Sequence, residues 1–466
     1  MNSGNATRLV FVLTGVLLLI FLIYIQDGLF ALDFAWFPAL ISAFYGLVAC
    51  SSRARTVNAA VSYLVIFLVF HVGAVFTFKL AGESAAIQGI DYSFLYGDNF
   101  AISVRLVCLG IVSYALGVLS VGVFGTFWPA SIRTQRRLLN RGLISAGESS
   151  LKTSAVLIYA SGFGILLLEV IRGGGVNLLL GGYDIFREGT IGSGLVPHAL
   201  LLIYFGTIFS ACPRSATKLP WVLLLGTAVV LFPIGLRGAV LFPAVVVLVV
   251  RSGYTKFSLA KLAVASVALL GIVSVVRQTR GGGLGAILSG GWSANPLDAI
   301  TELGNTLFVV TLASEWVRAG ASLHYGLSFF IVPIRFIEKL LGVDSPPAAL
   351  DTRFFSSEVA INSGQVGGSP IAEGFRNGAL PGVLVTMGLI GLVVALSDRL
   401  MRGPFTAALS GVLFLPVLVG VRNAFAAYIP QWAEGLAIFF VWVLLSYLLQ
   451  RQYLKGGEVS RGLSKA

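Results

Sequence analysis

The chain has 466 residues, of which 57% are hydrophobic and 11% charged, with a mean hydropathy of +0.91. A soluble domain carries about 25% charged residues, so this composition excludes a water-soluble globular enzyme. The net charge of +12 would suggest nucleic acid in a soluble protein. Here it reads as the Lys/Arg excess of cytoplasmic loops, and no nucleic-acid partner is expected.

A spanning helix needs about 20 apolar residues to cross roughly 30 Å of hydrocarbon. Apolar runs of that kind occur near 9–26, 29–50, 59–80, 101–125, 154–170, 195–212, 220–236, 238–251, 262–276, 380–397, 405–421 and 431–450. The first follows Arg8 and lacks a clear small-residue cleavage site, so it is expected to be a retained helix. The connections alternate in charge. Basic ones hold Arg53 and Arg55; Arg133, Arg136, Arg137, Arg141 and Lys152; Arg214 and Lys218; Arg251, Lys256 and Lys261; and Arg399 and Arg402. The tail carries Arg451, Lys455, Arg461 and Lys465, whereas Glu83, Asp91 and Asp98 share an acidic connection. Sorted this way, one side holds 19 Lys/Arg and three acids, and the other 13 Lys/Arg and 17 acids. The positive-inside rule then predicts about twelve transmembrane helices with both termini cytoplasmic. The expected fold class is all-α, a polytopic membrane protein forming a single transmembrane domain over 1–466.

Residues 277–379 contain no clean spanning run, and the topology places them outside, between helices nine and ten. Segment 300–317 is amphipathic, with Glu302 and Glu315 at its ends, and segment 326–342 carries Pro333 and Arg335 in its middle. The two could span as a hairpin without upsetting the alternation, but the interior Arg and Pro favour short helices lying on or near the membrane surface. The hairpin 220–251 must go out and back in very few residues. At 1.5 Å per residue its second arm spans only about 21 Å. Its tip, with Arg237, should therefore sit below the outer surface, inside the bundle. The short run 405–421 ends at Arg422-Asn423.

Charged groups at membrane depth are expensive and usually functional. The outer basic residues are eleven arginines with Lys79 and Lys339. Arginine stays charged and offers a planar fork that matches phosphate. Arg237, Arg277, Arg280 and Arg422 all fall where an outward-opening cavity would end, which points to an anionic, phosphate-bearing ligand. The bland alternative is that each pairs with an acid or caps a helix end. The most distinctive string is Asn362-Ser-Gly-Gln-Val-Gly-Gly-Ser-Pro370, followed by Ile-Ala-Glu-Gly-Phe-Arg-Asn-Gly378. Glycines such as Gly368 let a backbone approach a ligand and expose its N–H groups. Ser369 and Pro370 suit a helix start, which attracts anions. Glu373 then falls in the first turn and Arg376 three residues on, presenting an acid and a base on a similar face. The alternative there is an imperfect capping box with a solvated Arg376.

No Walker, Gly-x-Ser-x-Gly, His-Glu-x-x-His or Asp-x-Asp sequence occurs. Cys50, Cys108 and Cys212 lack metal-ligand spacing and read as small packing residues. His71 reads as a buried, hydrogen-bonded side chain, and His198 and His324 stand singly. No metal and no cofactor are expected.

Gly235-Leu-Arg-Gly238 leading into an apolar run resembles the arginine hairpin of Wzy-type O-antigen polymerases, the oligosaccharide repeat unit polymerases. So does an apolar helix ending in Arg277 and Arg280 before a long outer loop. Gly367-Gly-Ser-Pro-Ile-Ala-Glu-Gly374 with Asn377-Gly378 is similar to that family's strongest string, and Arg422 to its last outer arginine. The likeness covers roughly residues 220–440; the first half resembles the family only in hydropathy. The resemblance implies a GT-C-like glycosyltransferase in the bacterial inner membrane that acts on the periplasmic side. It would join polyprenyl (undecaprenyl) pyrophosphate-linked repeat units without a metal, with membrane lipid and a chain-length regulator as partners. Arg237, Arg280 and Glu373 would be catalytic; Arg277, Arg422, Arg376, Ser369, Asn377 and Gly368 would bind pyrophosphate or glycan. Asp351, Glu358 and Glu315 are alternative bases. An O-antigen ligase, for which His324 speaks, and a lipid-linked oligosaccharide flippase are the rival readings.

Overall fold

Backbone polar groups in hydrocarbon must bond within their own segment, so long apolar runs fold as helices. The computed structural model describes residues 3–463 apart from 26, 52–56, 88–89, 125–146, 176, 178–182, 184–185, 187–193, 289–293, 365 and 402. Every apolar run becomes a helix: α1 (Ser3–Tyr24), α2 (Trp36–Ser51), α3 (Ala59–Ala81), α4 (Phe100–Phe124), α5 (Glu148–Arg172), α6 (Leu195–Ser210), α7 (Leu219–Leu231), α8 (Gly238–Ser252) and α9 (Leu259–Leu288), then, after four outer helices, α14 (Pro370–Leu400), α15 (Pro404–Val419) and α16 (Tyr428–Leu463). Among the described residues, seven helices are long and apolar enough to cross a membrane, and five apolar ones are shorter. The protein is an all-α polytopic membrane protein.

The core centres on α4 and α14, which pack along their length. Small residues permit this close approach: a Cβ on Gly117 would fall 2.1 Å from the Gly388 carbonyl oxygen. α3 joins them through Tyr63, stacked on Tyr114 at 4.9 Å, and the Tyr114 hydroxyl donates to the Ala60 carbonyl at 2.9 Å.

Side chains at one set of helix ends interlock. Asp398 accepts the backbone N–H groups of Ala59 and Ala60 at 2.7 and 3.3 Å, an anion on a helix N-terminus. Arg399 donates to the Val121 carbonyl, and Arg251 to the Pro213 carbonyl at 3.0 Å. All lie at ends that the charge alternation assigns to the cytoplasm. The hairpin tip is buried as its length requires, with Arg237 8% exposed.

At the opposite end lie α10 (Pro296–Gly304), α11 (Thr306–Arg318), α12 (Leu327–Leu340) and α13 (Phe355–Ser363). α10 packs on α3, and α11 on α3, α4 and α14, with Leu307, Val309, Val310 and Ala313 fully buried. Segment 300–317 therefore turns its apolar stripe to the bundle rather than to a membrane surface. An amphipathic pattern satisfies either partner. α12 differs: only Ser328 and Ile331 of it are buried. α14 kinks at Gly378 and Ala379, where Ala379 has φ 49°. The left-handed Ala379 separates a short first piece from the apolar part, which begins where the apolar run does.

Candidate active site

The turn between α7 and α8 presents Arg237 towards α10. There its guanidinium grips Glu302 with both forks, Nη1 to Oε2 at 2.8 Å and Nη2 to Oε1. Both side chains are about nine-tenths buried. Burial alone would raise the Glu302 carboxyl. The Arg237 hydrogen bonds and charge, followed by the charges of Arg422 and Arg277, outweigh it and hold the group below the usual carboxylate range. Tyr92 also stands in this field: burial and then Glu302 push its phenol up, and Arg277 opposes them. Of the four arginines singled out in the sequence, Arg237 contacts this acid, and the charges of Arg422 and Arg277 act on it. For Arg237 the acid-pairing alternative holds. Arg280 lies on α9, but its side chain is outside the described residues. Glu302 itself was legible only as an end of an amphipathic segment, and nothing in the sequence marked Tyr92.

The glycine string docks on the segment after α15. Gly368 donates its N–H to the Arg422 carbonyl at 2.8 Å. A Cβ there would meet the Ala424 nitrogen at 2.7 Å, and Gly367 has φ +93° with Arg422 alongside. The glycines thus permit a backbone–backbone approach that seats Arg422, and the Gly368 N–H is already engaged.

Ser369 caps α14, its Oγ accepting from the Ala372 N–H at 3.4 Å. The same oxygen lies 2.8 Å from Nε2 of His71, whose Nδ1 is 3.2 Å from the Phe67 carbonyl. A carbonyl can only accept, so Nδ1 carries a proton and donates to Phe67. This is the buried, bonded histidine that its apolar surroundings suggested.

Glu373 is fully buried. Its Oε1 accepts from the Ser328 hydroxyl at 2.6 Å and its Oε2 from the Phe425 N–H at 2.5 Å. Asn377, also buried, donates to Ser328 Oγ at 2.7 Å and to the Glu373 carbonyl at 2.8 Å. Arg376 does not pair with Glu373. It forks onto Glu358 of α13, with Nη2 2.6 Å from Oε1 and Nε 3.2 Å from Oε2, and donates to the Ser322 carbonyl. Nε2 of His324 lies 3.5 Å from the same carboxylate. Burial would raise Glu358, but hydrogen bonds from His324 and Arg376 hold it low. Of the other acids considered, Asp351 accepts from Arg335 at 2.8 Å and from Arg353 at 2.9 Å.

Two groups result, the buried Arg237–Glu302 pair and a hydrogen-bonded one around Glu373; Arg422 acts on the first through its charge and Phe425 bonds to the second. Residues 196–452 match the family model for O-antigen polysaccharide polymerase Wzy. The chain belongs to this family. The match takes in Arg237, Arg277, Arg280, Glu302, the Gly367–Asn377 string and Arg422, and leaves α1–α5 outside. No curated protein and no solved structure gives a match. Membership in the Wzy family implies a bacterial membrane enzyme that polymerises O-antigen repeat units supplied as lipid-linked substrates.

Proposed function

We propose that the chain polymerises undecaprenyl-pyrophosphate-linked oligosaccharide repeat units at the periplasmic face of the inner membrane, as a metal-independent glycosyltransferase of GT-C-like architecture. The observation that carries this reading is the buried, two-pronged pair of Arg237 and Glu302, whose carboxylate also feels the charges of Arg422 and Arg277. Glu302 keeps Arg237 oriented. A donor pyrophosphate binds the same guanidinium groups, with Arg280 completing the set. As the glycosidic bond breaks, negative charge grows on the bridging phosphate oxygen. Prepositioned donors stabilise such charge by about 3–4 kcal/mol each. Pyrophosphate leaves without a separate proton donor.

The acceptor hydroxyl needs a base, and Glu373 is the candidate. In the closed arrangement the Ser328 hydroxyl donates to its Oε1. An acceptor hydroxyl makes the same bond once Ser328 withdraws, and its proton passes to the carboxylate as the new bond forms. Asn377 and Arg376 line this region, with Arg376 set by Glu358; Ser369 and Gly368 position the helix start and Arg422.

The test is polymerisation by the purified protein in a bilayer, given polyprenyl-pyrophosphate-linked repeat units in EDTA, with products resolved by size. A ladder is expected. Glu373→Gln should remove it while leaving a folded protein, because the amide keeps the shape but cannot take the proton. Full-length polymer from that variant would remove Glu373 from the chemistry. Attachment of finished glycan in place of a ladder would move the assignment to a ligase.

A further inference from the structure

Within α12, residues 328, 331, 335 and 338 follow one another at three-, four- and three-residue steps and so share a face. That face holds the protein. Ser328 and Ile331 are buried, Arg335 bonds to Asp351, and Glu338 accepts from Arg353 and Ser345. The opposite face carries Phe330, Ile337 and Leu340, flanked by Phe336 and Leu341, and each of these is more than half exposed. Soluble surfaces rarely carry a contiguous apolar patch of this kind.

The level at which this face lies is marked independently. The Phe329 ring meets Phe425 edge-on at 5.3 Å. Phe425 in turn packs on Tyr428 and Trp432 at the start of α16, one of the membrane-length apolar helices. Hydrocarbon covers the length of such a helix and no more, so α12, held at its first turn against the start of α16, lies at the level where the bilayer surface meets the bundle. Lys339 is exposed at its C-terminal end, where a long cationic side chain can extend to lipid phosphates. Left-handed residues bound the helix, Tyr325 and Gly326 before it and Gly342 after it.

We propose that α12 is a lipid-seated cover. Its apolar face inserts into the adjacent bilayer leaflet, and its polar face closes over Glu373 through Ser328. The bilayer is thereby a structural partner of the site: lipid holds the helix whose hydroxyl occupies the Glu373 carboxylate. This inference does not rest on the polymerase reading, because it concerns what covers α12 whatever reaction occurs beneath.

The test uses the full chain in lipid nanodiscs with nitroxides attached one at a time through Phe336→Cys and Leu340→Cys, with Leu17→Cys on exposed α1 as the lipid reference and Asp344→Cys as the water reference. The native Cys50, Cys108 and Cys212 are buried. At 336 and 340, collisions with oxygen should exceed those with a water-soluble nickel chelate, as at 17, and the order should reverse at 344. Nickel-dominated collisions at 340 would overturn the lipid seat, as would spin–spin broadening from a second copy. In the double variant Phe336→Glu with Leu340→Glu, a water-soluble carbodiimide should modify Glu373, which stays protected in the parent protein. Protection retained in the double variant would overturn the cover.

Discussion

Two groups of arginines and carboxylates lie at the α10–α13 end of the bundle, and they differ in burial. Around Glu302, Arg237 and the carboxylate are both about nine-tenths buried, and the charges of Arg422 and Arg277 act on the same acid. Between α12 and α13, Arg335 and Arg353 meet Asp351 and Glu338, two against two. The second group is neutral and its hydrogen bonds are mutual, so it needs no further partner to be stable. The first is a buried pair that also feels the charges of Arg422 and Arg277, where charge is screened far less than at a surface. Neutral, partly exposed ion clusters fasten loops; a buried arginine at the hairpin tip is the phosphate site of the proposed function.

The sharpest way to break this comparison is Arg237→Ala. Polymerisation should fall by about 10²–10³-fold, the usual cost of removing one prepositioned donor. Stability should fall as well, by about 3–5 kcal/mol, because Glu302 loses the partner that compensates its burial. Arg237→Lys keeps the charge without the fork. It should recover most of the apparent melting temperature in nanodiscs and only part of the ladder. Equal recovery of both would show that the site uses charge alone.

A smaller effect is expected from Gly368→Ala, which separates seating from chemistry. The new Cβ would meet backbone, not a flexible side chain, at 2.7 Å, and overpacking of this kind costs about 1–3 kcal/mol. Arg422 and Phe425 would shift with the displaced segment, so polymer yield should drop by less than in Arg237→Ala. An unchanged ladder and melting temperature would mean that the docked glycine string is slack.

The all-α, polytopic membrane class was legible in the sequence because hydrocarbon thickness dictates helix length and apolar composition. The burial of Arg237 followed from the same geometry, since too few residues remained in the hairpin to reach the surface. The partners were not legible. Glu302 lies 65 residues from Arg237, and which outer acid meets which arginine depends on how α10 packs on α3. The pairing of Arg376 with Glu358 and of Glu373 with Ser328 was hidden for the same reason. The sequence placed Glu373 and Arg376 on similar helical positions, and the fold gave each a different neighbour. Gly368 shows the limit of reading composition: glycine does mark close approach there, but the approaching group is the Arg422–Ala424 backbone.

The mildest prediction concerns the balanced cluster. Arg353→Ala leaves Asp351 still bonded to Arg335 at 2.8 Å, and Arg353 is itself partly exposed. The loss should be about 1 kcal/mol or less, with the polymer ladder intact. Acid sharpens the point. The Arg353 hydrogen bonds hold the Asp351 carboxyl below its ordinary value even though burial opposes them. A depressed carboxylate contributes stability that is present above its unfolded pKa, near 4, and is lost as pH falls through the lower folded value. In the parent protein that loss falls in the window below about pH 4. In Arg353→Ala the folded value rises towards the unfolded one, so the contribution shrinks and acid unfolding should begin at higher pH. A variant with the parent's acid profile would mean that Arg335 alone holds Asp351. A variant that loses its ladder at neutral pH would mean that the neutral cluster takes part in the reaction, and burial would then no longer separate scaffold from site.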